Sequence, residues 1–316
     1  MIKWTTILST PLLIMTSKNW IMIWSLLEMN TFSFIMMMKK NKESEKMMKY
    51  FLIQSMGSII LLLSMNMKMF ASSNMNLFEF FMPILLILSL SISVGAAPAH
   101  MWVPKITRKM SNKNLFIFLS TQKIAPIYLM MMNTKELFFT IIMVFSIFLG
   151  TFLQLTSMNL KIILTFSSMT HLSWMMLAGM TNKWVFLIYF FIYSLILMII
   201  IFIMEKKKIN FILKMSTPLA LTICFISLAG IPPLLGFMPK WIIVFISNEK
   251  SISKILISLF ILLSCLNIYI YFRILNIKNL NKKTEKKNTS FNMTSTNLFS
   301  LFINTIPSIM MLFFLI

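Results

Sequence analysis

Gly230-Ile-Pro-Pro-Leu-Leu-Gly-Phe-Met-Pro-Lys240-Trp241 stands in the middle of an apolar segment that runs from about residue 217 to 247. Gly230, Pro232, Pro233, Gly236 and Pro239 are poor helix residues, and each proline removes a backbone donor, so the segment is predicted to be a broken helix. At membrane depth a broken helix survives only where protein buries it or where it lines a wet cavity. Transporters place their ion sites at such breaks, and Lys240 lies just beyond this one. A similar irregularity, Gly95-Ala-Ala-Pro98-Ala-His100, ends an apolar segment in the other half of the chain. There His100 is read as satisfying the broken backbone. Two interruptions in different halves hint at a weak internal repeat.

The rest of the chain has the same character. It is 316 residues long, 58% hydrophobic and 12% charged, with a mean hydropathy of +0.85, which places it among polytopic membrane proteins. About 20 apolar residues cross a bilayer core. That ruler yields about eleven spans, near 5–17, 20–38, 50–67, 77–99, 114–132, 137–156, 160–180, 184–204, 217–247, 254–277 and 297–316. The expected fold is an all-α bundle of transmembrane helices, one membrane domain over residues 1–316, with a polar loop at 278–296 and a final helix at 297–316.

Ionisable residues inside such spans are functional candidates, because each is costly in hydrocarbon. Glu28 is the one carboxylate in the run Trp20–Met38, and Lys123 stands in Phe116–Tyr128. With Lys240 they suggest a proton or cation path. The competing readings are that Glu28 is a neutral acid bonded to backbone or to Asn30, and that Lys123 and Lys240 snorkel toward an interface. His171 has polar company in Ser167, Ser168, Thr170 and Ser173, which suits a hydrated seam or helix–helix hydrogen bonding.

All eight acids are Glu, so hydrolytic or metal-based catalysis has little material. A net charge of +21 would suit nucleic acid only on a folded basic face. Here the lysines crowd the connectors after the second, fourth, eighth and tenth spans, for example Lys39 to Lys49 and Lys105 to Lys113. The positive-inside rule puts those connectors and the N-terminus on the matrix or cytoplasmic side, and the C-terminus opposite. Cys224 and Cys265 form no metal or disulfide pattern. The methionines, scattered or in homopolymeric runs, do not read as a copper site. No import signal is visible at the start.

Several strings together carry a resemblance: Trp24-Ser-Leu-Leu-Glu-Met-Asn30, Lys49-Tyr-Phe-Leu-Ile-Gln54, Gly95-Ala-Ala-Pro-Ala-His-Met-Trp-Val-Pro104, Thr121-Gln-Lys-Ile-Ala-Pro126, Ser167-Ser-Met-Thr-His-Leu-Ser-Trp-Met-Met176 and Leu228–Trp241. In order, over about residues 20–275, they resemble the mitochondrial NADH-ubiquinone oxidoreductase chain 2 family, antiporter-like subunits in the membrane arm of respiratory complex I. The resemblance implies a proton-translocating subunit of an NADH:ubiquinone reductase in the mitochondrial inner membrane, partnered by other membrane-arm subunits, lipid, protons and water, and not by nucleic acid. It implies no cofactor in this chain, with NAD, FMN, iron–sulfur clusters and ubiquinone held by other subunits. It further implies that Glu28 is the carboxylate that pairs with a lysine, Lys123 the central carrier, Lys240 the lysine of the second broken helix, and His171 a residue that hydrates the path. One position departs. Where the family usually has lysine, two residues before Gly95, this chain has Ser93. Lys105 is twelve residues further on, about 18 Å along a helix. The alternatives are a cation/proton antiporter subunit and a non-pumping structural or assembly subunit.

Overall fold

The computed structural model describes residues 2–39, 44–70, 76–133, 136–207, 219–249, 252–284 and Asn304. Among the described residues the chain is helical throughout, with no sheet. The helices are α1 (Ile2–Thr16), α2 (Trp20–Lys39), α3 (Ser44–Phe70), α4 (Asn76–Val94), α5 (Trp102–Thr107), α6 (Asn112–Leu119), α7 (Thr121–Asn133), α8 (Glu136–Thr156), α9 (Leu160–Thr181), α10 (Lys183–Lys207), α11 (Leu219–Ala229), α12 (Phe237–Glu249) and α13 (Lys254–Thr284). Seven described stretches, within α2, α3, α6–α7, α8, α9, α10 and α13, are long and apolar enough to cross a membrane. Phe81–Val94 and Ala220–Ala229 are shorter apolar helices.

The apolar ruler located these elements but missed some of their ends. The fourth span, read to residue 99, stops as a helix at Val94, because the turn at 95–101 carries Gly95 at φ +73°. A side chain there would strain the backbone and meet Val103 at 2.3 Å. The fifth span is not continuous; it is two half-helices, α6 and α7, parted at Ser120. The polar stretch from 278 continues α13 as far as Thr284. The remainder of that loop, and the helix expected at 297–316 apart from Asn304, lie outside the described residues.

The residues form two compact units, 1–146 and 147–316. In the first, α1 packs on α2 and α7, and α3 packs on α2, α4 and α5. In the second, α9 is buried along nearly its whole length, with Ser167, Ser168, Thr170, His171 and Ser173 all inside. α8 shows why a membrane suits this chain. Ile141, Phe145, Phe148 and Phe152, spaced four, three and four residues apart, form one exposed apolar face. The opposite face, with Met143, Ile147 and Gln154, is buried. Gly150 on that face lets α9 come close, since a Cβ there would lie 2.8 Å from the Thr170 methyl.

Candidate functional site

In the first unit, a small cavity of about 30 Å³ is walled by α2, α3, α4 and α7. Half-buried Glu28 and Ser93 both line it, together with Asn30, Thr31, Tyr50, Gln54 and Gln122. Thr31 Oγ1 donates to the Glu28 carbonyl at 2.8 Å and lies 3.5 Å from its carboxylate Oε2. Asn30 is not the partner of Glu28. Its amide exchanges two hydrogen bonds with Gln122, at 3.0 and 3.3 Å, across 92 residues of chain. Tyr50 also donates to Gln122, at 3.4 Å. These amides knit α2, α3 and α7 into one wall, and because each buried polar group is paired, the wall avoids the cost of unmet hydrogen bonds.

Ser93 does not stand in for a lysine. Its hydroxyl donates to the Leu90 carbonyl of its own helix at 2.8 Å, while its carbonyl accepts from Gln54 at 3.0 Å. Among the described residues no lysine is part of the cavity wall. Lys105 is exposed on α5 and faces a different groove. The carboxylate and the place of the missing amine therefore share one polar space.

Lys123 follows Gln122 directly and is 5% exposed, so it does not snorkel. It sits in the first turn of α7, just past Ser120, whose φ of −108° and ψ of −87° leave the helix. The Ser120 hydroxyl donates to the Phe116 carbonyl at 2.6 Å, and the same carbonyl also accepts the Ser120 backbone N–H at 3.0 Å. Pro126 has no N–H for the Gln122 carbonyl four residues earlier. The backbone is thus loosened on both sides of the lysine.

In the second unit the break at 230–236 brings the end of α11 against the start of α12. Lys240, 7% exposed, folds back across it, and Nζ donates to the Ala229 carbonyl at 2.9 Å. Nζ also stands 5.9 Å from the Trp174 ring, within reach of a cation–π interaction. The last carbonyls of a helix carry partial negative charge, so the end of α11 stabilises an ammonium there. Gly230, at φ +84°, makes room: a Cβ would lie 2.8 Å from Nζ. Gly236 is tighter still, its Cβ position being 1.8 Å from the Ser227 carbonyl oxygen. Pro239, read as part of the break, lies instead inside α12. In a first turn its missing N–H has no intrahelical acceptor to lose.

His171 is buried on α9 one turn before Trp174. Its Nδ1 lies 2.9 Å from the Tyr189 hydroxyl, and its ring is centred 5.0 Å from that of Tyr193. Tyr193 faces Ser168, and Tyr271 faces Ser167 and Gln154. The hydroxyls of Tyr193 and Tyr271, both ends of the Gln154 amide and the Asn267 oxygen are buried without a hydrogen-bond partner among the described residues. Such groups cost about 1–3 kcal/mol each if left dry, which makes this cluster a place for internal water.

Of the predicted residues, then, Glu28 lines a cavity next to the amide that precedes Lys123, and in the other unit His171 lies on α9 while Lys240 reaches Trp174 of the same helix. Three features were not anticipated: the Asn30–Gln122 latch, the tyrosine cluster and the Ser120 break. Tyr189 and Tyr193, four residues apart in an apolar helix, carried a readable signal, since they must share a face. Near the cleft ends, His100 bonds the Pro98 carbonyl through Nδ1 at 3.1 Å, in keeping with its expected role.

Residues 17–257 match the family described as NADH:quinone oxidoreductase/Mrp antiporter, TM. NADH-ubiquinone oxidoreductase chain 2 of Anopheles gambiae is 33% identical, over 93% of this chain and 91% of that protein. The chain 2 of Artemia franciscana is 35% identical, over 87% and 88%. Among solved structures, a chain of respiratory complex I from Thermus thermophilus superposes with a TM-score of 0.78 at 17% identity, covering 93% of this chain and 74% of that one. A chain of the Mrp complex from Dietzia sp. DQ12-45-1b superposes with a TM-score of 0.69 at 14% identity, over 81% and 56%.

Proposed function

The chain belongs to the NADH-ubiquinone oxidoreductase chain 2 family, and from that membership we propose that it is a proton-translocating subunit of the membrane arm of respiratory complex I. It is a multi-pass protein of the mitochondrial inner membrane, assembled with other membrane-arm subunits. Electron transfer from NADH to ubiquinone, with its NAD, FMN, iron–sulfur and quinone sites, belongs to other chains of the complex. The positive-inside rule, applied to the basic connectors, supports an N-terminus on the matrix side and, with eleven spans, a C-terminus in the intermembrane space.

One observation carries the reading: two buried lysines each stand in the first turn of a half-helix that follows an interruption, Lys123 after Ser120 and Lys240 after residues 230–236. An amine taken from water loses preference for its charge, while nearby negative groups restore it. A small change in those groups therefore moves a proton on or off. Lys123 is the central carrier, Lys240 serves one end of the route, and His171 with its tyrosines holds water along it. Glu28 modulates from its own cavity. When Lys240 is protonated, its bond to Ala229 and its contact with Trp174 both strengthen, which ties the geometry of the break to the proton. The work is considerable, about 2.3 kcal/mol per charge against 100 mV.

A second reading, a non-pumping structural subunit, is favoured by one feature: among the described residues the Glu28 cavity has Ser93 and no lysine in its wall. The two readings part on the variant Ser93→Lys in the reconstituted complex, measured as protons moved per NADH oxidised. A module that already carries protons keeps the wild-type ratio. A rise in the ratio supports the structural reading.

A further inference from the structure

We infer that a groove between α3 and α5 holds the headgroup of an anionic phospholipid. The groove is open to its surroundings and lies in the first unit, beside the turn that follows α4. Lys49 and Ile53, four residues apart, line it from α3; Trp102, Lys105 and Ile106 line it from α5, where spacings of three and four put them on one face. Both lysines are exposed. No acid belongs to the lining, and Glu45, one turn before Lys49, makes no ion pair with it among the described residues. Lys46 is engaged instead with the Lys109 carbonyl, so Lys49 and Lys105 are the cations left to the groove.

The lining has two chemistries, and they select the ligand. A soluble phosphate ester would use the ammonium groups and leave Ile53, Ile92 and the Trp102 ring uncovered. A lipid with no net charge would use the apolar wall and leave two positive charges uncompensated. An anionic phospholipid uses both, its phosphate against the lysines and its acyl chain along the isoleucines. Basic pockets on the side of the positive loops and interfacial tryptophans are suited to this. The inference does not depend on how, or whether, the chain moves protons.

The test uses the intact complex in phosphatidylcholine nanodiscs doped with either photoreactive phosphatidylglycerol or photoreactive phosphatidylcholine. Peptides spanning 49–53 and 101–106 should be labelled about tenfold or more in favour of the anionic lipid, as two lysines near an anionic headgroup imply. The double variant Lys49→Gln/Lys105→Gln should bring the two lipids to parity, while Lys49→Arg/Lys105→Arg and Lys254→Gln, which is no part of the lining, keep the preference. Equal labelling of the wild type by both lipids, or no labelling of these peptides, overturns the proposal, and neither result needs a variant to assemble. Displacement of the label by millimolar inorganic phosphate would assign the groove to a soluble anion and overturn the lipid.

Discussion

Between α6 and α7 the helix is interrupted by Ser120, whose hydroxyl returns to the Phe116 carbonyl at 2.6 Å. Between α11 and α12 the interruption takes residues 230–236, two glycines have no room for a Cβ, and a lysine amine closes the gap onto Ala229 at 2.9 Å. Each break precedes a buried lysine, and in the second the lysine amine is itself the closure. At the first a neutral hydroxyl shares the Phe116 carbonyl with the Ser120 backbone N–H; the second cannot change the charge of Lys240 without changing its own hydrogen bonding. The comparison teaches that one device, a lysine beside a helix break, is built in a loose and a tight version within one chain.

The largest effect should come from the tight version. Gly236→Ala would set a methyl 1.8 Å from the Ser227 carbonyl oxygen, an overpacking that costs about 3 kcal/mol or more. Little assembled complex should then appear on a native gel. Normal assembly would mean that the break is not closed in this way. Lys240→Met keeps the length of the side chain and leaves the Ala229 carbonyl unpaired, a loss of about 1–3 kcal/mol. It should lower the thermal midpoint of the assembled complex, and an unchanged midpoint would remove the amine from the closure. Ser120→Ala should be mildest, about 1 kcal/mol for one hydrogen bond, with assembly kept. If its effect on the midpoint matched that of Lys240→Met, the contrast between the two breaks would fail.

The same contrast explains what could be read from the sequence. Gly230, Pro232, Pro233 and Gly236 announce a break by composition, because few other reasons place them together in an apolar segment. Ser120 announces nothing. A serine inside an apolar run is common, and its hydroxyl bonds back to its own helix without any glycine or proline nearby. Pro239 misled in the other direction, since proline is tolerated in the first turn of α12. Glu28, Lys123 and Lys240 were legible as single ionisable residues in apolar spans. Their surroundings were not: the Asn30–Gln122 pair joins residues 92 positions apart, and no local pattern marks such a contact.

The central claim rests on Lys123, buried past the Ser120 break, as the carrier of protons. The direct measurement is the rate of NADH-driven proton uptake by the reconstituted complex carrying Lys123→Gln, with assembly and NADH oxidation by a soluble artificial acceptor shown to be intact. Uptake should fall about tenfold or more, equivalent to a barrier raised by about 1.4 kcal/mol or more. Uptake at the wild-type rate in a fully assembled complex would contradict the account.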